Sequence, residues 1–130
     1  MVFQSGENYA IRDGFPVSEL HTLIIPKRHV QSYFDLSEAE ISSLQKDLHQ
    51  VRTELLKEDV SISGFNVGFN DGIDAGQTVM HCHVHLIPRR RGDVEDPRGG
   101  CEGSDTWETK VPTKQGLITN DWIGGPIGNL

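Results

Sequence analysis

The sequence predicts an α+β fold in a single domain, with two strands, one long helix and two further strands in chain order. A chain of 130 residues fits one domain and can bury a core without disulfide or metal support. Its 35% apolar and 24% charged residues are typical of globular proteins. One segment repeats apolar residues at helical spacing, and four others are short and apolar between turn residues.

The first two strands are predicted on either side of Pro16. Tyr9 to Asp13 is a short strand-like segment that ends in the turn signal Asp13-Gly14. Leu20 to Ile25 is a second one, and Pro26 is expected to end it because proline cannot donate a ladder hydrogen bond. We expect these strands to pair through the intervening loop.

The helix is predicted from a capping box followed by one apolar face. Ser37 supplies the N-cap hydroxyl, and Glu40 follows three residues later. Apolar residues then recur at gaps of three and four, which places them on one face of a helix that runs to about Asp59. These residues are Ile41, Leu44, Leu48, Val51 and Leu55.

Two more strands follow the helix, with a glycine-containing loop between them. Ser61 to Asn70 alternates weakly between apolar and polar residues, which favours a strand. The loop covers residues 70–76, and Gln77 to Pro88 is predicted as the fourth strand. Residues 101–130 are predicted to form an irregular arm of the same domain as residues 1–100, with Trp107 and Trp122 packing part of it.

Charge and composition exclude several function classes. The net charge of −7 argues against general nucleic-acid binding, which needs a basic surface. No apolar run is long enough to span a membrane, the N-terminus lacks the pattern of a signal peptide, and we expect a cytoplasmic protein. The basic clusters at residues 27–29 and 89–91 are either solvated strand ends or local attractors of an anionic substrate.

Three histidines in alternation, His81, His83 and His85, are the main candidate for chemistry. Successive side chains of a strand point to opposite faces, so the three are expected to share one face. The residues between and after them are apolar and are expected in the core: Cys82, Val84 and Leu86. Cys82 is therefore expected to be a buried apolar side chain and not a reactive thiol.

Three roles compete for this row of histidines. They can ligate a metal, with His21 or His29 as a further ligand, although the spacing does not require it. They can supply a nucleophile toward phosphorus, a group that orients it and a proton donor. They can also be structural. The preceding loop offers amides, a hydroxyl and backbone N–H groups that suit phosphate oxygens, through Asn70, Gln77 and Thr78. That loop favours phosphate chemistry.

The segment His81-Cys82-His83-Val84-His85-Leu86-Ile87 resembles the signature of the histidine triad (HIT) family, in which histidines alternate with apolar residues. Asn70-Asp71-Gly72 together with Gly76 to Val79 resembles the phosphate-side loop of the family, and Leu20 to His29 resembles its second strand. Asp13 stands where the family keeps a ribose-binding acid. The bacterial HIT-domain proteins and the dinucleoside polyphosphate hydrolases are the most similar members.

The resemblance covers about residues 8 to 100 and implies a HIT-like α+β fold. That fold has an antiparallel sheet of about five strands, one long helix packed on it, and commonly a homodimeric assembly. The implied activity is nucleotidyl hydrolysis or transfer at the α-phosphate of a dinucleoside polyphosphate or a nucleoside phosphoramidate, with an adenine nucleotide as the expected partner. No cofactor or metal is implied, because the N-terminal cysteines of zinc-containing members are missing.

The family pattern also implies a role for each matching residue. His83 is the nucleophile and forms a nucleotidyl–histidine intermediate, His81 helps to fix it, and His85 contacts phosphate or leaving-group oxygens. His21 supports the triad from behind. The implied substrate contacts are ribose for Asp13, base for Ile11, and phosphate for Asn70, Gln77 and Thr78.

Two departures and two alternatives stay open. Asn70 stands where the dinucleoside polyphosphate hydrolases often have glutamine, and the sequence from Cys101 onward matches no pattern that fixes a substrate. One alternative is a non-catalytic nucleotide-binding module. The weaker one is a metal-dependent hydrolase that uses the histidines as ligands.

Overall fold

The computed structural model describes residues 1–98, so the arm predicted over 101–130 lies outside the described part. Within residues 1–98 the elements are β1 (Phe3–Gln4), β2 (Asn8–Arg12), β3 (Thr22–Pro26), α1 (Glu38–Glu58), β4 (Ile62–Gly68) and β5 (Val84–Arg90). Two 3-10 turns, Tyr33–Asp35 and Ile73–Ala75, precede α1 and β5. The strands form one antiparallel sheet in the order β1-β2-β3-β5-β4. The predicted α+β fold with a five-stranded sheet is confirmed.

The helix begins at the predicted capping box. The Ser37 hydroxyl accepts the Glu40 N–H at 3.1 Å, and the Glu40 carboxylate accepts the Ser37 N–H at 2.8 Å. These two bonds satisfy donors that the first helical turn leaves without partners. The helix ends one residue before the predicted Asp59, whose N–H bonds to the Leu55 carbonyl.

The sheet has an apolar face that packs on the helix and a second face that carries the histidines. Antiparallel partners share a face, and the pairs Ala10–Ile24 and Ile24–Val84 belong to the face that packs on α1. Its core contains buried residues from every layer: Ala10, Ile24, Leu44, Val51, Leu55, Ile62, Cys82, Val84 and Leu86. The predicted burial of Cys82, Val84 and Leu86 is confirmed.

The opposite face is built around a row that crosses the sheet. Ile11 pairs with Leu23, Leu23 pairs with His85, and His85 pairs with Gly68. Since strand residues alternate between faces, His21 shares this face with Leu23. The register therefore brings two histidines from separate strand regions to one place.

Two predictions about strand boundaries were wrong. The strand predicted from Gln77 begins only at Val84, because the Cys82 N–H bonds to the Val30 carbonyl and not to a ladder partner. Pro26 ends β3 as predicted, but the strand that was expected to stop at Pro88 continues to Arg90. The two-residue strand β1 was not predicted.

A buried carboxylate fastens the N-terminal hairpin to the helix. Asp47 of α1 is 6% exposed and accepts hydrogen bonds from the Ser5 hydroxyl and the Asn8 amide, each at 2.6 Å. Asn8 is itself only 2% exposed. Within residues 1–98 no helix has the length and apolar character to cross a membrane, and the cytoplasmic location stays a prediction.

Replacing Asp47 by alanine should lower the free energy of unfolding by about 2 kcal/mol, because it leaves the buried Asn8 amide without its acceptor. Urea unfolding followed by circular dichroism measures this loss. Gln45→Ala, at an exposed position of the same helix, is the control and should change the free energy by less than about 0.5 kcal/mol. Equal values for the two variants would contradict the bracing role.

Candidate active site

His83 is held in a tautomer that leaves one ring nitrogen with a lone pair. Its Nδ1 lies 2.8 Å from the backbone carbonyl oxygen of His81. A carbonyl only accepts hydrogen bonds, so Nδ1 carries the proton and Nε2 is unprotonated in the neutral ring. An unprotonated imidazole nitrogen is the form that can attack an electrophile.

A second chain of hydrogen bonds fixes His21 and His85. The Val17 N–H donates to His21 Nδ1 at 3.0 Å, so the proton of neutral His21 is on Nε2. That Nε2 lies 3.0 Å from His85 Nδ1, which must accept the bond. The proton of neutral His85 is therefore on Nε2. The His83 and His85 rings meet edge to face, with centroids 5.2 Å apart.

His81 has a different neighbour, the exposed His29. His81 Nε2 donates to the Pro26 carbonyl at 2.8 Å, which fixes the orientation of the ring. Its Nδ1 faces His29 Nδ1 at 3.4 Å, and the two rings are nearly perpendicular. His81 thus contributes its carbonyl to His83, while its side chain is directed to β3.

Burial keeps the central histidines neutral. Desolvation, with a smaller contribution from the nearby His83, lowers the pKa of His21 to about 3. Desolvation is also the main cause that lowers the pKa of His85 and of His83. Cys82 takes no part in this chemistry, because burial and the carboxylate of Asp71 raise its pKa to about 12.

The phosphate-side loop meets the histidines through the strand register. Gly68 pairs with His85, so the residues that follow β4 run toward His83, and Asn70 is the second of them. Asn70 is 7% exposed, and its Oδ1 has no hydrogen-bond partner among residues 1–98. This buried oxygen is an acceptor that the described residues leave unsatisfied. The predicted role of Asn70 in phosphate binding stays a prediction.

Gln77 differs from Asn70 because its amide is fully engaged. Its Oε1 accepts the Gly72 N–H at 2.8 Å, and its Nε2 donates to the carbonyls of Gln31 at 2.9 Å and Val79 at 3.1 Å. Both amide hydrogens are therefore used to hold the loop. Thr78, the next residue, is exposed. The phosphate contacts predicted for both residues stay predictions.

Asp13 lies beside His21, under the edge of the histidine face. Its side chain is 1% exposed, and its Oδ1 accepts the Phe15 N–H at 2.9 Å. Its Oδ2 lies 3.3 Å from His21 Nε2 without forming a hydrogen bond. Burial raises the pKa of Asp13. The predicted ribose contact requires this carboxylate to become accessible, whereas Ile11 is already partly exposed beside it.

The arginines at the end of β5 are structural. Arg89 pairs with Asp93 at 2.9 Å and donates to the Asn66 side chain at 2.8 Å. Arg90 pairs with Asp59 at 2.8 Å. These two side chains fasten the strand end to its neighbours, whereas Arg91 is exposed, and the attraction of an anionic substrate by this cluster stays a prediction.

Sequence reasoning missed Val17, because its contribution to the site is a backbone N–H. An aliphatic residue after proline carries no signal for such a role. The family resemblance implied that His21 supports the triad, but the residues alone do not indicate its bond to His85, since 64 positions separate the two. The shared position of both histidines on one sheet face is visible only once the strand register is known.

One compact group, Asp13, His21 and His85, has the separations of a metal site, with ligand atoms within 4.8 Å of one another. The hydrogen bonds do not suit a metal there. The Val17 N–H occupies Nδ1 of His21, so Nε2 holds the ring proton and has no lone pair for a cation. Binding a metal at Nε2 would require breaking that bond, so that the proton moves to Nδ1, or removing the single ring proton. This group does not fit a zinc-like ion.

Comparison with known proteins identifies the family. The model of the HIT domain matches residues 1–92. The chain belongs to the HIT domain family. It is similar to the asymmetrical bis(5'-nucleosyl)-tetraphosphatase of Schizosaccharomyces pombe, with 40% identity over 81 residues, which are 62% of this chain and 44% of that protein. A bis(5'-adenosyl)-triphosphatase of Dictyostelium discoideum is 33% identical over 94 residues, 72% of this chain and 62% of that protein.

Solved structures show the same fold. A HIT family protein of Bacillus anthracis superposes with a TM-score of 0.66 at 29% identity, covering 85% of this chain and 86% of that one. A zinc-bound histidine triad protein of Mycobacterium smegmatis gives 0.65 at 30% identity, covering 71% and 66%. The chain spans less than half the length of the S. pombe relative, so that relative's activity is not transferred by similarity alone.

The neutral histidines make stability depend on pH. The unfolded chain protonates histidine below about pH 6.5, whereas folded His21, with a pKa of about 3, does not. This difference in pKa leaves the free energy of unfolding unchanged above about pH 6.5 and lowers it progressively as the pH falls toward 3. Between pH 7 and pH 5 this amounts to about 2 kcal/mol for His21 alone. His83 and His85 add losses of the same sign.

Urea unfolding at pH 7 and at pH 5 should therefore show a steep loss in the wild type and a smaller one in His21→Gln. Asp13, with its raised pKa, acts in the opposite direction, so the comparison between variants isolates the histidine. His49→Gln, on the exposed face of α1, is the control. A wild-type free energy that does not change between these pH values would contradict the buried neutral state.

Proposed function

We propose that this chain is a nucleotidyl hydrolase or transferase that cleaves at the α-phosphate of a dinucleoside polyphosphate or a nucleoside phosphoramidate. The main support comes from His83. Its ring is buried and neutral, and its Nδ1–H donates to the His81 carbonyl at 2.8 Å. Such a ring presents Nε2 as a nucleophile without first losing a proton. The HIT family relationship and the phosphatases among the relatives support it.

In the first step His83 Nε2 forms a bond to the α-phosphorus. The bond from phosphorus to the leaving oxygen, or to nitrogen in a phosphoramidate, breaks, and the leaving group keeps the electron pair. His83 becomes a cation with the nucleotidyl group on Nε2. Its Nδ1–H becomes more acidic, and the hydrogen bond to the His81 carbonyl stabilises the positive charge.

His85 and the loop act on the oxygens. The Nε2–H of His85 donates a hydrogen bond to a phosphate or leaving-group oxygen, and a leaving group that needs a proton takes it from solvent. Donors around the equatorial oxygens stabilise the transferring group, which requires positioning and charge stabilisation above all. Asn70 and Thr78 are the proposed donors, and Gln77 holds the loop that presents them.

In the second step water attacks phosphorus and the bond to His83 breaks. The electron pair returns to Nε2, the attacking water releases one proton to solvent, and a nucleoside monophosphate leaves. Asp13 is the proposed ribose contact and Ile11 the proposed cover of the base. The Dictyostelium relative named for an adenosyl substrate supports adenine as the base.

His83→Ala should reduce turnover by about 1,000-fold or more, because it removes the nucleophile. The measurement is release of AMP from diadenosine polyphosphates, an AMP phosphoramidate, adenylyl sulfate and nucleotide sugars, with EDTA present. The matched control is His49→Ala, an exposed helix residue, which should keep wild-type turnover.

Three outcomes separate the proposal from its alternatives. Equal turnover by the wild type and His83→Ala would refute the nucleophile. Nucleotide binding without turnover by the wild type would favour a binding module. Loss of activity in EDTA, with recovery on adding zinc, would favour the metal-dependent alternative.

We further propose that two chains form a dimer along β4. One edge of β4 pairs with β5, and no strand among residues 1–98 covers the other edge. Val67 on this edge strand is 49% exposed. An open edge with apolar residues is suited to pairing with another strand, and an isologous contact gives a closed dimer.

Val67→Asp should convert the dimer to a monomer, because it would bury an unpaired carboxylate in the proposed contact between the two β4 strands. Sedimentation equilibrium measures the mass. Val60→Asp, at a residue that is 91% exposed, is the control and should leave the mass unchanged. A wild-type monomer at micromolar concentration, or a dimer that tolerates Val67→Asp, would contradict this arrangement.

A further inference from the structure

The loop between β2 and β3 is closed by a set of short hydrogen bonds around His21. The Asp13 N–H bonds to the His21 carbonyl at 2.9 Å, and the His21 N–H bonds to the Ser18 carbonyl at 3.1 Å. The Ser18 hydroxyl reaches the Pro88 carbonyl of β5. Inside this loop the Val17 N–H points at His21 Nδ1, at 3.0 Å. The loop therefore presents a backbone amide to a ring that is 1% exposed.

The backbone of the loop is strained where it approaches the ring. Leu20 has a φ of 73°, in the left-handed region that branched residues rarely occupy. Such a conformation is unfavourable and persists only where the surroundings of the residue hold it. The Thr22 hydroxyl donates to the Leu20 carbonyl at 2.8 Å, and the Leu20 side chain packs against the core. The conformation that brings Val17 to His21 is thus imposed by the fold.

The backbone N–H of Val17 determines which ring nitrogen is protonated in His21 and in His85. A backbone N–H can only donate, so His21 must accept at Nδ1 and carry its own proton on Nε2. His85 must then accept at Nδ1 and carry its proton on Nε2. Asp13 Oδ2, 3.3 Å from His21 Nε2, favours a proton on that nitrogen as well.

The other pair of tautomers of His21 and His85 would remove the hydrogen-bond donor from the site. Without the Val17 N–H, His21 can protonate Nδ1 and accept at Nε2 from His85 Nδ1–H. His85 would then present a lone pair at Nε2, which repels phosphate oxygens and cannot donate a hydrogen bond to the leaving group. The geometry of the two rings would be almost unchanged, so only the proton positions distinguish the two states.

We propose that the Val17 backbone N–H is a positioning group that sets the tautomer of His85 through His21. This inference rests on the proposed function, because it assigns the His85 Nε2–H to the reacting oxygens. It places a determinant of catalysis on a residue whose side chain takes no part. A side-chain substitution that keeps the amide should therefore preserve the tautomer.

The test compares Val17→Pro, which removes the N–H, with Val17→Ala, which keeps it. Spectra of ¹⁵N-labelled histidine report the proton position in each ring directly. Val17→Ala should keep His85 protonated on Nε2. Val17→Pro should move the proton to Nδ1 in a large fraction of molecules. The kcat of Val17→Pro should be about 10- to 100-fold lower than that of Val17→Ala, and the KM values of the two variants should agree within about twofold.

If Val17→Pro does not fold, an ester in place of the Pro16–Val17 amide removes the same N–H without a ring constraint. A folded variant without the N–H in which His85 stays protonated on Nε2 would overturn the proposal. A shifted tautomer with undiminished kcat would overturn it as well. If the wild type turns over none of the substrates, the proposed function fails, while the spectra still decide whether Val17 sets the proton.

Discussion

A neutral imidazole has one proton and two nitrogens, and its chemistry depends on which nitrogen holds the proton. Backbone groups make that choice in this protein. The His81 carbonyl holds the proton of His83 on Nδ1, and the Val17 amide sends the protons of His21 and His85 to Nε2. The result is a lone pair on His83 beside a donor on His85. Two neutral imidazole rings thus provide a nucleophile, His83, and a hydrogen-bond donor, His85.

The sheet makes this selection possible because it removes water from the rings. Desolvation lowers the pKa of His21, His83 and His85, so a positive charge does not compete with the tautomers. The apolar face of the same strands packs on α1 and fixes their register. That register pairs Leu23 with His85 and brings His21 within hydrogen-bonding distance. Packing of the apolar sheet face on α1 therefore fixes the strand register that brings His21 and His85 into hydrogen-bonding contact on the opposite face.

Much of the fold was predictable, because it depends on local patterns. The capping box at Ser37 and the burial of Cys82 beside the histidines follow from helical spacing and from alternation. Alternation held even though His81 and His83 precede β5, since an extended backbone alternates its side chains with or without ladder bonds. The start of that strand was mispredicted because the Cys82 N–H bonds to Val30, which is distant in sequence.

The features of the site that could not be predicted from the sequence are contacts between distant residues and the conformation of the backbone. No pattern indicates that Leu20 adopts a positive φ or that the Val17 amide faces a ring. Arg89 and Arg90 are basic in sequence, yet their charges are used in ion pairs. The residue types of the histidine motif indicate which chemistry is available, and tertiary structure determines which nitrogen performs it.

Acid-quenched mass spectrometry during turnover of a diadenosine polyphosphate tests directly whether His83 Nε2 is the nucleophile. We expect an adenylylated peptide that contains His83, formed within the first turnover, with ³¹P spectroscopy locating phosphorus on Nε2. Steady turnover with no adduct on His83 at any quench time, or an adduct on His81 or His85, would contradict it.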